Sequence, residues 1–259
     1  MEAVTIDLNS DLGESFGRWQ LGDDAALLRL VSSANVACGF HAGDPRGLRR
    51  TLRAAREAGA AVGAHPGYWD LRGFGRVPME LPTDVVRDDV LYQIGALAAL
   101  ARAEAVPLAH VKPHGALYNA MATRAELALA VAEAVAAFDP GLPIMVLAGS
   151  VAERALVGAG VPVLREGFLD RAYLADGTLA PRGTPGAVHV DPERVVEQAL
   201  TLATAGRVRA VDGSELRLNV DTLCLHGDTA AAVDLARRVR GALEDAGVSV
   251  ARPDAQPGA

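Results

Sequence analysis

Lysine is nearly absent from this 259-residue chain: of 25 basic residues, only Lys112 is a lysine. Aromatic residues make up 4%, and cysteines number two. The net charge of -7 comes with no stripe of Arg and Lys. That excludes a nucleic-acid partner, because binding a phosphate backbone needs a dense array of cations. No apolar run reaches the roughly 18 residues of a membrane span; the stretch 94–111, for example, is broken by Arg102 and Glu104. Met1 leads directly into Val4-Thr5-Ile6-Asp7-Leu8 without the basic and apolar segments of a secretory leader, so a cytoplasmic location is expected. Cys38 and Cys224 lie far apart in apolar surroundings and form no close-spaced pair, which predicts buried thiols. Three motifs are missing as well: the G-x-S-x-G elbow, the G-x-x-x-x-G-K-[ST] phosphate loop and the dinucleotide G-x-G-x-x-G. The chain therefore shows no serine-hydrolase nucleophile of that class and no ATP cradle of its own.

What is present is apolar material, 50% of residues, arranged in a repeating rhythm. Short β-branched runs at 4–8, 34–38, 60–64, 108–112, 144–148, 162–165 and 222–225 each precede a helix-length segment. Asp44-Pro45 with Gly59, and Asp191-Pro192 with Gly206, mark two helices by an N-cap, a first-turn proline and a C-terminal glycine. Thr123 with Glu126 and Ser150 with Glu153 have capping-box spacing, and Asp228 is placed to open a last helix. Seven βα units predict an α/β fold, a closed (β/α) barrel of seven or eight parallel strands over 1–252, followed by a polar tail at 253–259. An open doubly wound sheet is the main rival. The loop 66–82 is long and rich in Gly and Pro, and 166–190 is expected to contain a small hairpin.

The polar residues fall in a pattern. Asp7, Asn9 and Asp11 share one parity while Val4, Ile6 and Leu8 share the other, so the polar set is predicted to face into the barrel. His41, His65, His114 and His226 each follow a strand and are trailed within two residues by glycine. In parallel barrels the C-terminal strand ends converge on the active site, so these four are expected in one pocket. His110 and His189, within strand-like runs, are expected to be structural. Lys112 lies inside His110-Val-Lys-Pro-His-Gly115, where a compact ammonium suits the stabilisation of a developing oxyanion or phosphate. Asp11, His41 and His65 would suit a hydrolytic divalent metal, although their spacing matches no metal motif. Asp44 and Asp228 read equally well as helix caps and as site residues.

At these residues the sequence resembles the LamB/YcsF family, that of the A subunits of ATP-dependent 5-oxoprolinase. The stretches that carry the resemblance are Asp7-Leu-Asn-Ser-Asp-Leu-Gly-Glu14, Ala34-Asn-Val-Ala-Cys-Gly-Phe-His-Ala-Gly-Asp-Pro45, Gly63-Ala-His-Pro-Gly67, Gly73-Phe-Gly-Arg76, Tyr92-Gln-Ile-Gly-Ala-Leu97, Val111-Lys-Pro-His-Gly-Ala-Leu-Tyr-Asn119, Asp170-Arg-Ala-Tyr173 and Cys224-Leu-His-Gly-Asp-Thr229. Ser10 stands where the family usually has Cys, Trp69 where Pro is common, Val77 where a second Arg is common, and Leu169 where Ala is usual.

The resemblance implies a barrel similar to the glycoside hydrolase/deacetylase fold and a role in opening 5-oxo-L-proline to L-glutamate. It also implies two partner subunits that use ATP to activate the lactam. On that reading Asp11, His41, His65 and His114 supply acid and base, with the two roles unassigned among them, and Lys112 neutralises oxygen charge. Asn9, Glu14, Asp44, Arg76, Asp170, Arg171, His226 and Asp228 are candidates for substrate positioning. No cofactor is assigned to the chain itself; a divalent metal and a homo-oligomer stay open. The alternatives are a stand-alone metal-dependent deacetylase of similar fold and a non-catalytic lactam-binding subunit.

Overall fold

The two-residue period of the first strand runs on past Leu8. In the computed structural model, which describes residues 4–227 and 231–252, β1 spans Thr5–Leu12. It is followed in parallel by β2 (Ser33–Ala37), β3 (Ala61–His65), β4 (Leu108–Val111), β5 (Ile144–Leu147) and β6 (Val163–Phe168). A separate antiparallel hairpin joins β7 (Arg207–Arg209) to β8 (Glu215–Arg217). Then β9 (Thr222–Cys224) enters between β6 and β1 and pairs in parallel with both. That double pairing closes a barrel of seven strands, the lower of the two expected numbers. A two-residue strand, β10 (Ser249–Val250), lies parallel to the start of β1.

The connecting helices are α1 (Asp24–Leu27), α2 (Pro45–Ala58), α3 (Thr83–Ala103), α4 (Gly115–Met121), α5 (Ala125–Phe138), α6 (Val151–Gly158), α7 (Pro192–Ala205) and α8 (Ala232–Asp245). Local chemistry sets several boundaries. Asp44 accepts from the Arg46 and Gly47 amides at the start of α2, and Gly59 ends that helix in the left-handed conformation. Asp191 and Gly206 do the same for α7, and Ser150 caps α6 through the Glu153 amide. The expected box at Thr123 does not form. Arg124 is the N-cap of α5, without a side-chain capping bond, and Glu126 pairs with the Arg124 guanidinium at 2.8 Å instead. Asp228, expected to open the last helix, and the tail at 253–259 lie outside the described residues. Among the described residues no helix is long and apolar enough to cross a membrane.

The apolar parity of the strands packs outward on the helices. Ile6, Leu8 and Leu12 join Leu48 and Leu52 of α2, Ile94 and Leu97 of α3 and Leu127 of α5 in one buried cluster. Two of the irregular stretches also resolve. The segment after β6 folds back through antiparallel bridges Arg171–Val188 and Tyr173–Leu179, the expected small hairpin. The hairpin of β7 and β8 was not anticipated, although its turn, Asp212-Gly213 with Gly213 at φ 90°, carries the usual Asp-Gly signal.

Within the bore, Gly63 sits opposite His110, and a methyl group at Gly63 would fall onto the His110 ring. His110 is thereby free to reach Asn35, with Nε2 2.7 Å from Oδ1. Gly63→Ala is expected to destabilise the fold by about 1–3 kcal/mol in urea unfolding, the usual cost of overpacking. Combining it with His110→Ala should recover part of that loss, since the two changes meet in one space; strict additivity would refute the steric account.

Candidate active site

The inward parity of the strands fills the bore with a buried hydrogen-bonded network rather than with aliphatic layers. At its base Asp7 accepts from the hydroxyls of Ser32 and Ser33, each at 2.7 Å, and from Thr222. Burial pushes the Asp7 carboxyl up to about 6. One layer up, Asn9 donates to Glu166 Oε1 at 2.9 Å and to Thr222 at 2.7 Å, and accepts from Asn35 at 2.7 Å. Asn35 also donates to Asp11 Oδ1 at 2.9 Å.

Lys112, just past β4, reaches into this network with its whole side chain. Its Nζ lies 2.8 Å from Glu166 Oε1, 3.0 Å from Asp11 Oδ1, 3.1 Å from Cys224 Sγ and 3.2 Å from Asn9 Oδ1. Burial alone would pull the ammonium's pKa down, but Asp11, Cys224 and Glu166 outweigh it and hold the proton well above the usual lysine range. Burial likewise works against the charged form of Asp11, yet His65 and Lys112 keep it ionised, well below the usual carboxylate range. The result is a fixed cation flanked by carboxylates in a dry site, where charge interactions are strong.

Beside Asp11 the three histidines at the ends of β2, β3 and β4 gather. His41 and His114 stack with ring centroids 3.8 Å apart and planes 3° apart, and His65 meets both edge-on. The loop 66–82 pins this arrangement: the Phe74 carbonyl lies 2.8 Å from His114 Nε2, with Phe74 itself at φ 57°. That left-handed backbone costs a non-glycine residue roughly 1–2 kcal/mol. Gly75 follows because a Cβ there would come within 2.7 Å of His41 Cβ and 2.8 Å of His114 Cδ2. Burial, with the neighbouring imidazoles, holds His41 and His114 well below the usual histidine pKa, so both are neutral near pH 7.

Their hydrogen bonds then fix the tautomers. A ring nitrogen facing a carbonyl must carry the proton, so His114 is protonated on Nε2 and His65 on Nδ1, the latter 2.6 Å from the Lys112 carbonyl. The remaining nitrogens, His114 Nδ1 and His65 Nε2, face each other at 2.9 Å, with Asp11 Oδ2 3.4 Å from the same His65 nitrogen. Glu14 Oε1 lies 3.6 Å from His114 Nδ1 and 3.4 Å from His41 Nε2, and neither His41 nitrogen has a hydrogen-bond partner among the described residues. Two ring nitrogens in contact need a proton or a metal ion between them, and the orphaned nitrogens of buried His41 lie beside the same place. Glu14, His41, His65 and His114 offer donor atoms all within 4.8 Å of one another, so this cluster could hold a metal. It differs from the expected set: Glu14 and His114 replace Asp11, which groups with Cys224 and His226 instead.

Across the rim, His226 Nδ1 lies 2.8 and 2.9 Å from the Asp170 carboxylate, and its ring stacks on Phe168. A cavity of about 660 Å³ opens between the two sides. Asp11, His65, Arg76, Lys112, His114, Arg171 and His226 line it. Asn9, Glu14, His41 and Asp170 are buried beside or beneath these residues. Asp44 is not brought to the cavity; its carboxylate bonds the amides of Gly17, Arg46 and Gly47. Arg171 is partly committed to the fold, donating to the carbonyls of Ala180 at 2.6 Å and Ala187 at 3.4 Å. Asp228 lies outside the described residues. Both cysteines are free and buried, as expected, but Cys224 is a neighbour of Lys112 rather than inert packing. His110 and His189 are buried away from the cavity lining.

Glu166, Asn35 and Tyr118 were not anticipated. Glu166 sits within β6, which the sequence suggested would end at Arg165; the strand runs on to Phe168 paired with β9, with Glu166 against Lys112 in the bore and the Arg165 guanidinium held by Asp221 through two 2.8 Å bonds. Asn35 has the inward parity of its own strand, a signal that was available. Tyr118, in the first turns of α4, lines the cavity with Lys112.

The chain matches the LamB/YcsF family over residues 6–257. It is 56% identical over 250 residues to the A subunit of 5-oxoprolinase from Symbiobacterium thermophilum, covering 96% of each chain. The crystal structure of the Lactam Utilization Protein from Thermus thermophilus superposes with a TM-score of 0.90 at 51% identity, covering 95% of this chain and 99% of that one. A GH20 beta-N-acetylhexosaminidase from Streptomyces coelicolor aligns at a TM-score of 0.52 and 15% identity, over 94% of this chain and 64% of that one, which is a likeness of fold alone.

The Lys112 network gives a direct test. Lys112→Met leaves Asp11 and Glu166 buried without their cation and is expected to cost ~3–5 kcal/mol in urea unfolding. Adding Glu166→Gln should restore part of this. An unchanged unfolding midpoint for Lys112→Met would show that the ammonium does not neutralise the bore.

Proposed function

Since this chain belongs to the LamB/YcsF family, we propose that it opens the lactam ring of 5-oxo-L-proline to give L-glutamate as one component of an ATP-dependent 5-oxoprolinase. The observation that carries the reading is the convergence on one cavity of a fixed ammonium, Lys112, an ionised carboxylate, Asp11, and a neutral imidazole, His114. The relatives' designation as A subunits, together with the missing phosphate loop, supports partner subunits that bind ATP and phosphorylate the lactam oxygen.

The chemistry follows from the protonation states. In the O-phosphorylated ring, C5 is doubly bonded to nitrogen. A water adds to C5, one of its protons passing through the His65–His114 pair to the ring nitrogen. Lys112, which stays charged, faces the negative charge that gathers on oxygen. Transfer of the water's second proton, from the C5 hydroxyl to nitrogen by the same pair, lets the C5–N bond break with C5=O formed. The product is an open-chain acyl phosphate, and a second water converts it to L-glutamate and phosphate. Asp11, beside both Lys112 and His65 Nε2, holds these groups in register. If a divalent cation is held by Glu14, His41, His65 and His114, it would supply Lewis-acid charge at the same place.

A second reading, a metal-dependent deacetylase acting alone, is favoured by one observation only, the facing ring nitrogens of that cluster.

His114→Ala is expected to lower ATP-dependent glutamate formation by the reconstituted subunits about 10²–10⁴-fold with little change in melting temperature. Full activity in that variant would refute the assignment of the pocket. Elemental analysis of the purified chain addresses the cation: stoichiometric metal, lost in His41→Ala, is the expected result for a metal cluster. If the metal-loaded chain alone then deacetylates an N-acetylated sugar and never forms glutamate with its partners, the second reading replaces the first.

A further inference from the structure

Ring opening by the His65–His114 pair leaves the other imidazole of the cavity idle. His226, just past β9, lines the cavity and gives its Nδ1 to the Asp170 carboxylate at 2.8 and 2.9 Å. Burial works against the charged form of Asp170, but His226, then Arg182 and Arg171, hold its carboxyl below the usual range. An ionised carboxylate only accepts, so the ring proton sits on Nδ1 and the neutral ring carries its lone pair on Nε2. That nitrogen has no hydrogen-bond partner among the described residues. The His226 side chain keeps 10% of its surface accessible, against 0% for His41, 1% for His65 and 3% for His114, so a water reaches it most readily. Around the barrel β9 stands three strands from β3 in one direction and three from β4 in the other, which sets His226 opposite His65 and His114. The Phe168 ring joins it to the centre: His226 stacks on that ring at 5.7 Å, and Lys112 Nζ lies 5.4 Å from its centroid. Asp11, Cys224 and His226 offer donor atoms within 4.8 Å of one another, but the ammonium already stands 3.0 Å from Asp11 and 3.1 Å from Cys224. That place has its cation, and His226 is not drawn into it.

Two waters are consumed between the O-phosphorylated lactam and L-glutamate, and they make different demands. In ring opening the departing nitrogen must gain protons, which suits two imidazoles whose facing nitrogens pass a proton between them. In the second step the leaving group is phosphate, a stable anion that needs no proton, so a base alone suffices. An imidazole fixed by a carboxylate, with its other nitrogen open, is such a base: the carboxylate sets the tautomer and stabilises the imidazolium that forms. We propose that His226, held by Asp170, is the base that activates the second water, so that this chain hydrolyses the acyl phosphate itself. Nε2 takes one proton of the water as the water's oxygen bonds to C5. The bond from C5 to the phosphate oxygen then breaks, and its electron pair leaves with phosphate. The imidazolium gives its proton to the departing phosphate, and the new carboxylic acid loses its own to solvent. His226 is thus a catalytic residue and Asp170 a positioning residue. The inference rests on the lactam-opening reading above and assigns its last step.

The test uses the reconstituted subunits with ATP and 5-oxo-L-proline. Loss of lactam in the first turnover reads ring opening, glutamate reads the complete reaction, and added hydroxylamine traps an acyl phosphate as its open-chain hydroxamate. In His226→Gln, glutamate formation is expected to fall at least about 10²-fold, while first-turnover loss of lactam stays close to the native rate and hydroxamate accumulates in place of glutamate. Asp170→Asn, whose amide can donate to Nδ1 and so move the ring proton to Nε2, is expected to divert glutamate to hydroxamate in the same way. Lactam loss and glutamate falling together, with no hydroxamate, would place His226 in binding or ring opening and overturn the proposal. Native rates of glutamate formation in His226→Gln would overturn it too, while leaving the lactam reading intact. Native subunits that form neither glutamate nor hydroxamate would instead sink the lactam reading, and this step with it. Melting temperatures separate a lost base from a lost fold, and Asp170→Asn carries the test if His226→Gln does not fold.

Discussion

A charged amine buried in the middle of a barrel is tolerable only if its surroundings are built around it, and much of this molecule can be understood from that condition. Removing an ammonium from water costs several kcal/mol even after relaxation. Here the cost is offset by carboxylates on two strands, Asp11 and Glu166, with Asn9 and Cys224 completing the contacts. Each of those groups needs partners of its own, which draws in Asn35, Thr222 and, further down, Asp7 with its serines. The bore is polar because one end of it must hold a cation in place.

This arrangement explains why Lys112 serves two ends at once. A guanidinium would be too broad and flat for a position flanked by Asp11, Glu166 and Asn9, so the 24 arginines elsewhere give no substitute. The groups that fix the ammonium also set the register of the rim: the Lys112 carbonyl orients His65, which orients His114, which the Phe74 carbonyl meets from the other side. Structure and chemistry share the same bonds, so a change at Lys112 is expected to be felt in both.

Much of this was legible in the sequence where geometry leaves no choice. A period of two forces Asp7, Asn9 and Asp11 onto one face, and the closure of parallel strands forces the residues at their ends together, so His41, His65 and His114 could be grouped without coordinates. The failures came where tertiary contacts decide. Glu166 sits in Arg165-Glu166-Gly167, which reads as the end of a strand; its ion-pair partner Lys112 and the strand it pairs with, β9, are both distant in sequence. Asp44 had two good explanations, and helix capping was the one realised. Glu14 lies beyond β1 in a connection with no periodicity, so nothing local announced its approach to the imidazoles.

The closing strand carries a further implication. Only Thr222, Leu223 and Cys224 separate β6 from β1, and they pair on both edges while alternating between bore and helix layer. Gaining or losing one residue here would exchange inward and outward sides, turning the Asp7 and Lys112 partners toward grease and Leu223 toward the polar interior. The segment should therefore drift in chemistry far more readily than in length, and alignment gaps among descendants of this fold belong in the hairpin just before it, at 207–217.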